Sequence, residues 1–193
     1  LRRCEADFGI ELRIKKGIRP CSGIGSSGAS AAGGAYVAHI LCGEKLTPTE
    51  VVLCAAHAED VTPGGFHADN VAPCVLGGFT IIRSYEPFEV ITIQPPESLG
   101  IVIAMPDVLV PTKEARSILP KEVKVKDMVF HIGNASTMVY GMMTGDLGLI
   151  GRSVKDAFSE PARSVLVPYI KEAESIAMSK GASHPSSEDP DPV

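Results

Sequence analysis

The feature that most constrains this chain is a loop of glycines and serines that runs directly into a helix of small residues, Pro20–Ser30 (PCSGIGSSGAS). Gly23, Gly25 and Gly28 carry no side chains, so backbone N–H groups of the loop can approach an anion closely. The N-terminus of the following helix adds unpaired N–H groups and a favourable dipole. The segment therefore predicts a phosphate-binding site. A glycine-rich turn with serine N-caps is the alternative interpretation.

Two helices are predicted after this loop, joined by a short turn. Small residues from Ser26 to Cys42 predict a closely packed helix that ends at Gly43. The segment Thr47–Glu50 (TPTE) is a capping box with proline at the first helical position, and it opens a second helix that runs to about Asp60. Because the connection is short, we expect an antiparallel helical hairpin.

One hydroxyl and one carboxylate should meet across this hairpin. At about 1.5 Å per residue, Ser27 and Glu59 lie at nearly the same level when counted outward from the turn. A carboxylate at the end of a solvated helix is the ordinary interpretation of Glu59. The other interpretation is a pairing with Ser27, because helix geometry lets this hydroxyl and carboxylate meet beside the predicted phosphate site.

The rest of the chain predicts an α+β fold in two domains. A change of pattern near Tyr85–Pro87 divides it into domains at 1–86 and 87–182, and a polar, proline-rich tail at 183–193 is predicted to be disordered. The periodicity predicts strands at Glu11–Lys15, Val75–Arg83, Glu89–Ile93 and Gly100–Met105. It predicts helices at Thr112–Leu119, at Val123–Ile150 with a break near Gly145-Asp146, and at Pro168–Lys180.

Composition excludes several classes of partner. The chain has 193 residues, a net charge of −5 and a pI near 5.5, which argues against nucleic-acid binding because that requires a basic face. No apolar run is long enough to cross a membrane, and no signal peptide is evident at the start. Five cysteines without CxxC pairs suit free thiols in a reducing compartment. A soluble cytoplasmic protein is expected.

Three other kinds of ligand site can be tested against the sequence. The glycine spacing of the loop fits a dinucleotide-binding fingerprint, but a second helix follows where a second parallel strand is needed. A Walker A loop ends in Gly-Lys-Ser/Thr, and this loop has no lysine there. His57-Ala-Glu59 followed by Pro73-Cys74 imitates a zinc deaminase signature, but Gly77 stands where the second cysteine is required.

The loop is similar to the phosphate loop of GHMP kinases, a Gly-Leu-Gly-Ser-Ser-Ala type of motif. Further segments resemble the homoserine kinase branch of that superfamily, and they follow in the same order: His67–Pro73 with Gly77–Phe79, then Thr112–Pro120, then Glu160–Arg163. The resemblance extends from Phe8 to Gly181. It implies part of an N-terminal domain like domain 2 of ribosomal protein S5, followed by part of a ferredoxin-like domain.

The resemblance also implies an activity and a set of site residues. The activity is ATP-dependent phosphorylation of L-homoserine to O-phospho-L-homoserine, with Mg²⁺ held by Ser27 and Glu59, in threonine biosynthesis. Asn70 would lie near the reacting hydroxyl, and whether Asp69 is a general base is open. The ATP-binding residues would be Pro20, Cys21, Ser22, Gly23, Ile24, Gly25, Ser26, Ser27 and Gly28. The homoserine-binding residues would be His67, Asp69, Asn70, Thr112, Arg116 and Arg163.

Some of these assignments have physical support beside the resemblance. Guanidinium groups such as those of Arg116 and Arg163 can bind a carboxylate through two parallel hydrogen bonds, although each arginine alone is more often a surface residue. Thr112 lies one helical turn before Arg116 and could face the same pocket or cap a helix. His67, without the resemblance, is a loop histidine bonded to a carbonyl.

The sequence departs from the family pattern in the loop and at both ends of the chain. Cys21 stands where the family loop has glycine. An Asn-x-Gly-x-Gly-x-Asp-like motif is not found ahead of Leu1, and the segment after Gly181 does not resemble the expected glycine-rich motif. The expectation is therefore a partial chain. The alternative functions are an inactive or weakly nucleotide-binding fragment and a GHMP kinase for mevalonate or shikimate. A homodimer is a candidate arrangement of the chains.

Overall fold

The computed structural model describes residues 1–20, 23–60, 66–105, 112–167 and 169–182. Within these ranges the side chains of Arg2, Thr112, Lys113 and Glu114 are not described. Contacts divide the chain into two compact units, Leu1–Ile93 and Gln94–Val193, and each unit is described by itself. The mixture of helices and a sheet agrees with the predicted α+β class. No helix in the described ranges is long and apolar enough to cross a membrane.

Three helices of the first unit build its core. They are α1 (Ser26–Leu41), α2 (Pro48–Glu59) and α3 (Val71–Leu76). The first two confirm the predicted hairpin, and Gly43, with φ +78°, lies just past the end of α1. Small side chains let the helices pack closely around a buried cluster. Its members are Ala32, Val52, Ala55, Ala56, Ala68, Val71 and Ala72.

The start of α2 is fixed by the predicted capping box. The Thr47 hydroxyl oxygen accepts a hydrogen bond from the Glu50 N–H at 3.3 Å, and the Thr47 N–H donates to the Glu50 carboxylate at 2.9 Å. The bond from the Thr47 backbone is the main cause that lowers the pKa of Glu50. Since the cap sets where α2 begins, it also sets which residues of α2 face α1.

The described part of the first unit also contains a 3-10 helix (Arg2–Cys4) and an antiparallel hairpin. Strand β1 (Phe79–Tyr85) pairs with β2 (Phe88–Ile93), with Phe79 opposite Ile93 and an irregularity between Ile82 and Ser84. The strand predicted at Glu89–Ile93 is confirmed. The predicted boundary near Tyr85–Pro87 falls in the turn of this hairpin, whereas the two compact units divide after Ile93. The two domain types that the resemblance implies, one like domain 2 of ribosomal protein S5 and one ferredoxin-like, stay predictions.

Three predicted strands need correction. Val75 and Leu76 form the last turn of α3, and β1 begins only at Phe79, because Gly77 (φ +71°) and Gly78 (φ +68°) end the helix and turn the chain. Short apolar runs such as this one do not distinguish a strand from a buried helix. Residues 11–15 and 100–105 are not strands. Alternation predicts which side chains share a face, but a strand also requires a neighbour to pair with.

The second unit is helical in its described part. It contains α4 (Thr112–Ser117), α5 (Val125–Thr144), α6 (Leu147–Ser153), α7 (Ser159–Arg163) and α8 (Ile170–Ser179). The predicted break near Gly145-Asp146 is confirmed: Gly145 has φ +75°, and the Asp146 carboxylate caps α6 by accepting the Leu149 N–H at 2.9 Å. The tail predicted to be disordered, 183–193, lies outside the described residues.

Candidate active site

The glycine-rich loop enters α1 in a conformation that requires glycine. Gly23 and Gly25 both have φ +76°, and Gly25 is the N-cap of the helix. This left-handed region is costly for residues that have a Cβ atom. The first turn of α1 contains no acidic residue, and no side chain caps it. The first N–H groups of this 16-residue helix therefore suit an external anion. Cys21 and Ser22 lie outside the described residues.

Ser26 and Lys16 make hydrogen bonds at the base of this loop. The buried Ser26 hydroxyl donates to the Ile18 carbonyl at 3.1 Å and accepts from the Lys16 ammonium at 3.4 Å. The Ser26 side chain therefore stabilises the loop, although its backbone N–H belongs to the first turn of α1. Lys16 brings a positive charge beside the loop. No signal in the sequence identifies this lysine, because a lysine in a polar segment gives no sign of what it contacts in the folded chain.

Ser27 and Glu59 meet between α1 and α2. The Ser27 hydroxyl donates to the Glu59 carboxylate at 2.9 Å, as expected from counting residues along the two helices. A hydroxyl and a carboxylate are oxygen ligands of the kind that Mg²⁺ prefers. No group of three or more His, Cys, Asp or Glu residues in the described ranges could hold a metal ion. An ion bound by this pair would have to take its other ligands from phosphates and water.

Asn70 lies against the glycine loop. A Cβ atom built on Gly28 would be 2.8 Å from the Asn70 Cβ, and one built on Gly25 would be 3.1 Å from the Asn70 Oδ1. Real Cβ atoms do not tolerate the first distance, so glycine at position 28 is what permits this approach. The structure thus brings a residue predicted to be catalytic next to the predicted phosphate loop.

The neighbours of Asn70 are arranged by the start of α3. The Asp69 carboxylate accepts the Asn70 N–H at 3.0 Å, and the Asp69 side chain is exposed. Ala68 is fully buried in the core, and His67 is half-buried beside it. The buried alanine thus lies within a short polar segment in which Asp69 and Asn70 are exposed. This combination suits a ligand-binding segment built on a rigid support.

The predicted carboxylate-binding residues belong to the second unit. Arg116 lies in the last turn of α4 and is exposed. The Arg163 Nε, from α7, donates to the carbonyl of Ala115 at 3.2 Å, which brings Arg163 to the backbone beside Arg116. Arg163 also borders an open cavity of about 340 Å³ with Ser159 and Ser164. The side chain of Thr112 is not among those that the structure describes.

Residues 1–78 match the family model described as the GHMP kinases N terminal domain. This match contains the loop, the Ser27–Glu59 pair and Asn70. It therefore covers the group of residues that the structure brings together in the first unit.

Known homoserine kinases are similar to the chain over most of its length. The homoserine kinase of Methanococcus maripaludis (strain S2) is 48% identical over 162 residues, which are 83% of this chain and 53% of that protein. The homoserine kinase of Chlorobium phaeovibrioides is 42% identical over 173 residues, 90% of this chain and 54% of that protein. The crystal structure of homoserine kinase from Cytophaga hutchinsonii matches with a TM-score of 0.79 at 39% identity, over 88% of this chain and 54% of that one. The chain spans about half the length of the relatives it matches.

Proposed function

Since this chain belongs to the GHMP kinase family and is a homologue of homoserine kinases, we propose that it carries the ATP site and part of the substrate site of a homoserine kinase. The reaction would transfer the γ-phosphoryl group of ATP to the side-chain hydroxyl of L-homoserine. The product would be O-phospho-L-homoserine, an intermediate of threonine biosynthesis. Free thiols at Cys4, Cys42, Cys54 and Cys74 support a reducing, cytoplasmic setting for this chemistry.

One observation carries the proposal: three predicted site residues converge on the N-terminus of α1. Ser27 and Glu59 are joined by a hydrogen bond of 2.9 Å, and Asn70 is packed against Gly25 and Gly28. A phosphate at the helix N-terminus would thus lie beside a hydroxyl, a carboxylate and an amide. A glycine-rich turn with a purely structural role does not require this convergence.

Phosphoryl transfer asks the protein mainly for alignment and for stabilisation of charge on the phosphoryl oxygens. The N–H groups at the start of α1 would hold phosphate oxygens, and the Lys16 ammonium, 3.4 Å from the Ser26 hydroxyl, would add positive charge nearby. Ser27 and Glu59 would hold Mg²⁺, which would supply positive charge to offset that of the phosphates. Asn70 would orient the acceptor hydroxyl, and Asp69 could accept its proton only if the two come within hydrogen-bond reach.

The residues proposed to recognise homoserine are considered in each unit by itself. His67 and Asp69 present polar side chains beside Asn70, which suits the ammonium and hydroxyl groups of an amino acid. Arg116 and Arg163 would bind its carboxylate, because a guanidinium group matches a carboxylate with two parallel hydrogen bonds. An acceptor without a carboxylate would not use these arginines.

The experiment is a coupled assay of ADP release by the purified chain, with homoserine, mevalonate, shikimate or no acceptor. We expect release that depends on homoserine. Glu59→Gln should lower turnover by at least about tenfold, because loss of a residue in a metal's coordination sphere commonly has effects of this size or larger. Glu44→Gln is the matched control, since it removes the same charge at the turn between α1 and α2 and should leave turnover unchanged.

The outcomes separate the candidate functions. ADP release with mevalonate or shikimate in place of homoserine would identify a different kinase of the family. ATP binding without release for any acceptor would identify a nucleotide-binding fragment. Equal turnover of Glu59→Gln and Glu44→Gln would refute the metal site while leaving the kinase assignment standing.

A further inference from the structure

An aromatic cluster supports the segment that precedes α3. The ring of Tyr85, at the end of β1, lies 5.8 Å from the ring of Phe66 and 6.1 Å from that of Phe88. Phe66 in turn lies 4.9 Å from the imidazole of His57 on α2. Both phenylalanines pack against the buried core of the first unit. The Tyr85 ring is therefore held in place on two sides, although it is 42% exposed.

The Tyr85 hydroxyl reaches the backbone of the proposed substrate segment. It accepts a hydrogen bond from the Ala68 N–H at 3.3 Å. The side chain of Ala68 is fully buried, and its carbonyl already accepts the Ala72 N–H at 2.8 Å in the first turn of α3. An N–H in such a place needs a partner, because an unsatisfied buried donor costs free energy.

The hydrogen bond between Ala68 and Tyr85 lies beside the proposed substrate-binding residues. Ala68 stands between His67 and Asp69, and Asn70 follows, packed against the phosphate loop through Gly28. A change in the backbone at Ala68 therefore moves the polar side chains on both sides of it. It also changes the approach of Asn70 to the loop, because the two residues are joined through one short, turning segment.

We propose that Tyr85 is a positioning residue for the proposed reaction: its hydroxyl, held by the aromatic cluster, fixes the backbone of residues 67–70 so that Asn70 faces the phosphate loop. This inference rests on the proposed function for its catalytic meaning. It assigns to the β1–β2 hairpin a role in the site, although none of its residues was predicted to touch a ligand. Tyr85 acts through Ala68 and does not itself contact the reacting groups.

The test is Tyr85→Phe, which keeps the ring and its packing and removes only the hydroxyl. Tyr36→Phe is the matched control, since Tyr36 is 51% exposed on α1 and its ring contact is with His39. In Tyr85→Phe we expect hydrogen exchange of the Ala68 amide to become about tenfold faster. Exchange at Val52, in the core, should stay unchanged. The resonances of the Asn70 side-chain amide should shift. None of these changes is expected in Tyr36→Phe.

Kinetics distinguish positioning from simple stabilisation. Tyr85→Phe should lower kcat/KM for homoserine by about tenfold, the loss expected for one hydrogen bond that orients a site. The KM for ATP should stay within about twofold, because the loop itself is intact. Unchanged exchange at Ala68, or an Asn70 amide resonance that does not move, would overturn the proposal. A parallel rise in exchange at Val52 would do so as well, because it would show general destabilisation.

The same design separates this proposal from the function it rests on. If the wild-type chain releases no ADP with homoserine, the proposed function fails for this chain. The exchange at Ala68 and the Asn70 resonance then still decide whether Tyr85 positions the segment.

Discussion

Gly28→Ala is the substitution that most sharply tests the contact between the phosphate loop and Asn70. Position 28 lies in the first turn of α1, where alanine is ordinarily the better residue. The added Cβ atom would lie 2.8 Å from the Asn70 Cβ and 3.4 Å from the Asn70 carbonyl carbon. Both atoms belong to the rigid part of the residue, so a side-chain rotation cannot relieve the clash. The start of α3 has to move away from the loop.

The expected magnitude follows from two opposing terms. Replacing glycine by alanine in a helix is worth up to about 1 kcal/mol in favour of folding. Overpacking at a closed contact costs about 1–3 kcal/mol. Gly28→Ala should therefore be neutral or destabilising by up to about 2 kcal/mol. Gly33→Ala, on the same helix, has no neighbouring heavy atom within 4 Å of the new Cβ and should be stabilising by about 0.5–1 kcal/mol.

Hydrogen exchange of the core amides of Ala55 and Ala56 reports the stability of the first unit, and so measures the difference in stability between the two variants. We expect the free energy of opening to rise in Gly33→Ala and to stay level or fall in Gly28→Ala. ATP-dependent turnover should fall only in Gly28→Ala, because only that variant displaces Asn70. Equal stabilisation by both variants would refute the packing of Asn70 against the loop.

Three further predictions concern other contacts. Lys16→Met should weaken ATP binding about tenfold, measured by calorimetry, because it removes a positive charge beside the loop; unchanged affinity would remove Lys16 from the site. Glu50→Gln should lower the urea midpoint at pH 7, because hydrogen bonds from Thr47 lower the pKa of Glu50. That contribution is present above the ordinary glutamate pKa of about 4.3 and is lost as the pH falls through the lowered value, so the two midpoints should converge in acid. Gly141→Ala should be neutral or should destabilise the second unit by up to about 2 kcal/mol, because the new Cβ would lie 2.9 Å from Ile150 and the helical preference of alanine offsets part of that cost. Hydrogen exchange of amides in α5 measures this change, and a gain in stability would contradict the packing of α5 on α6.

Local signals in the sequence predicted much of the first unit. The capping box at Thr47–Glu50 and the small residues of α1 identified two helices, and helical geometry then brought Ser27 to the level of Glu59. These features are encoded within a few residues or one short hairpin. Their prediction therefore needed no knowledge of the rest of the fold.

What the sequence analysis missed depends on contacts between distant segments. The strand predicted at residues 11–15 lacks a described partner, and pairing is not visible in a single segment. The contact from Tyr85 to Ala68 spans 17 residues and depends on how a hairpin packs beside α3. Lys16 was missed for the same reason, since only the folded loop brings it to Ser26. The apolar run at the end of α3 is too short to show a period, so the sequence predicts a strand there.

The start of α1 and the Ser27–Glu59 pair are proposed to bind ATP together with Mg²⁺. Calorimetric titration of ATP into the full chain, with and without Mg²⁺, in wild type and Glu59→Gln tests it most directly. We expect Mg²⁺ to tighten ATP binding to the wild-type chain by about tenfold or more and to have little effect on Glu59→Gln. An equal effect of Mg²⁺ on both proteins, or no binding of ATP to the wild-type chain, would contradict it.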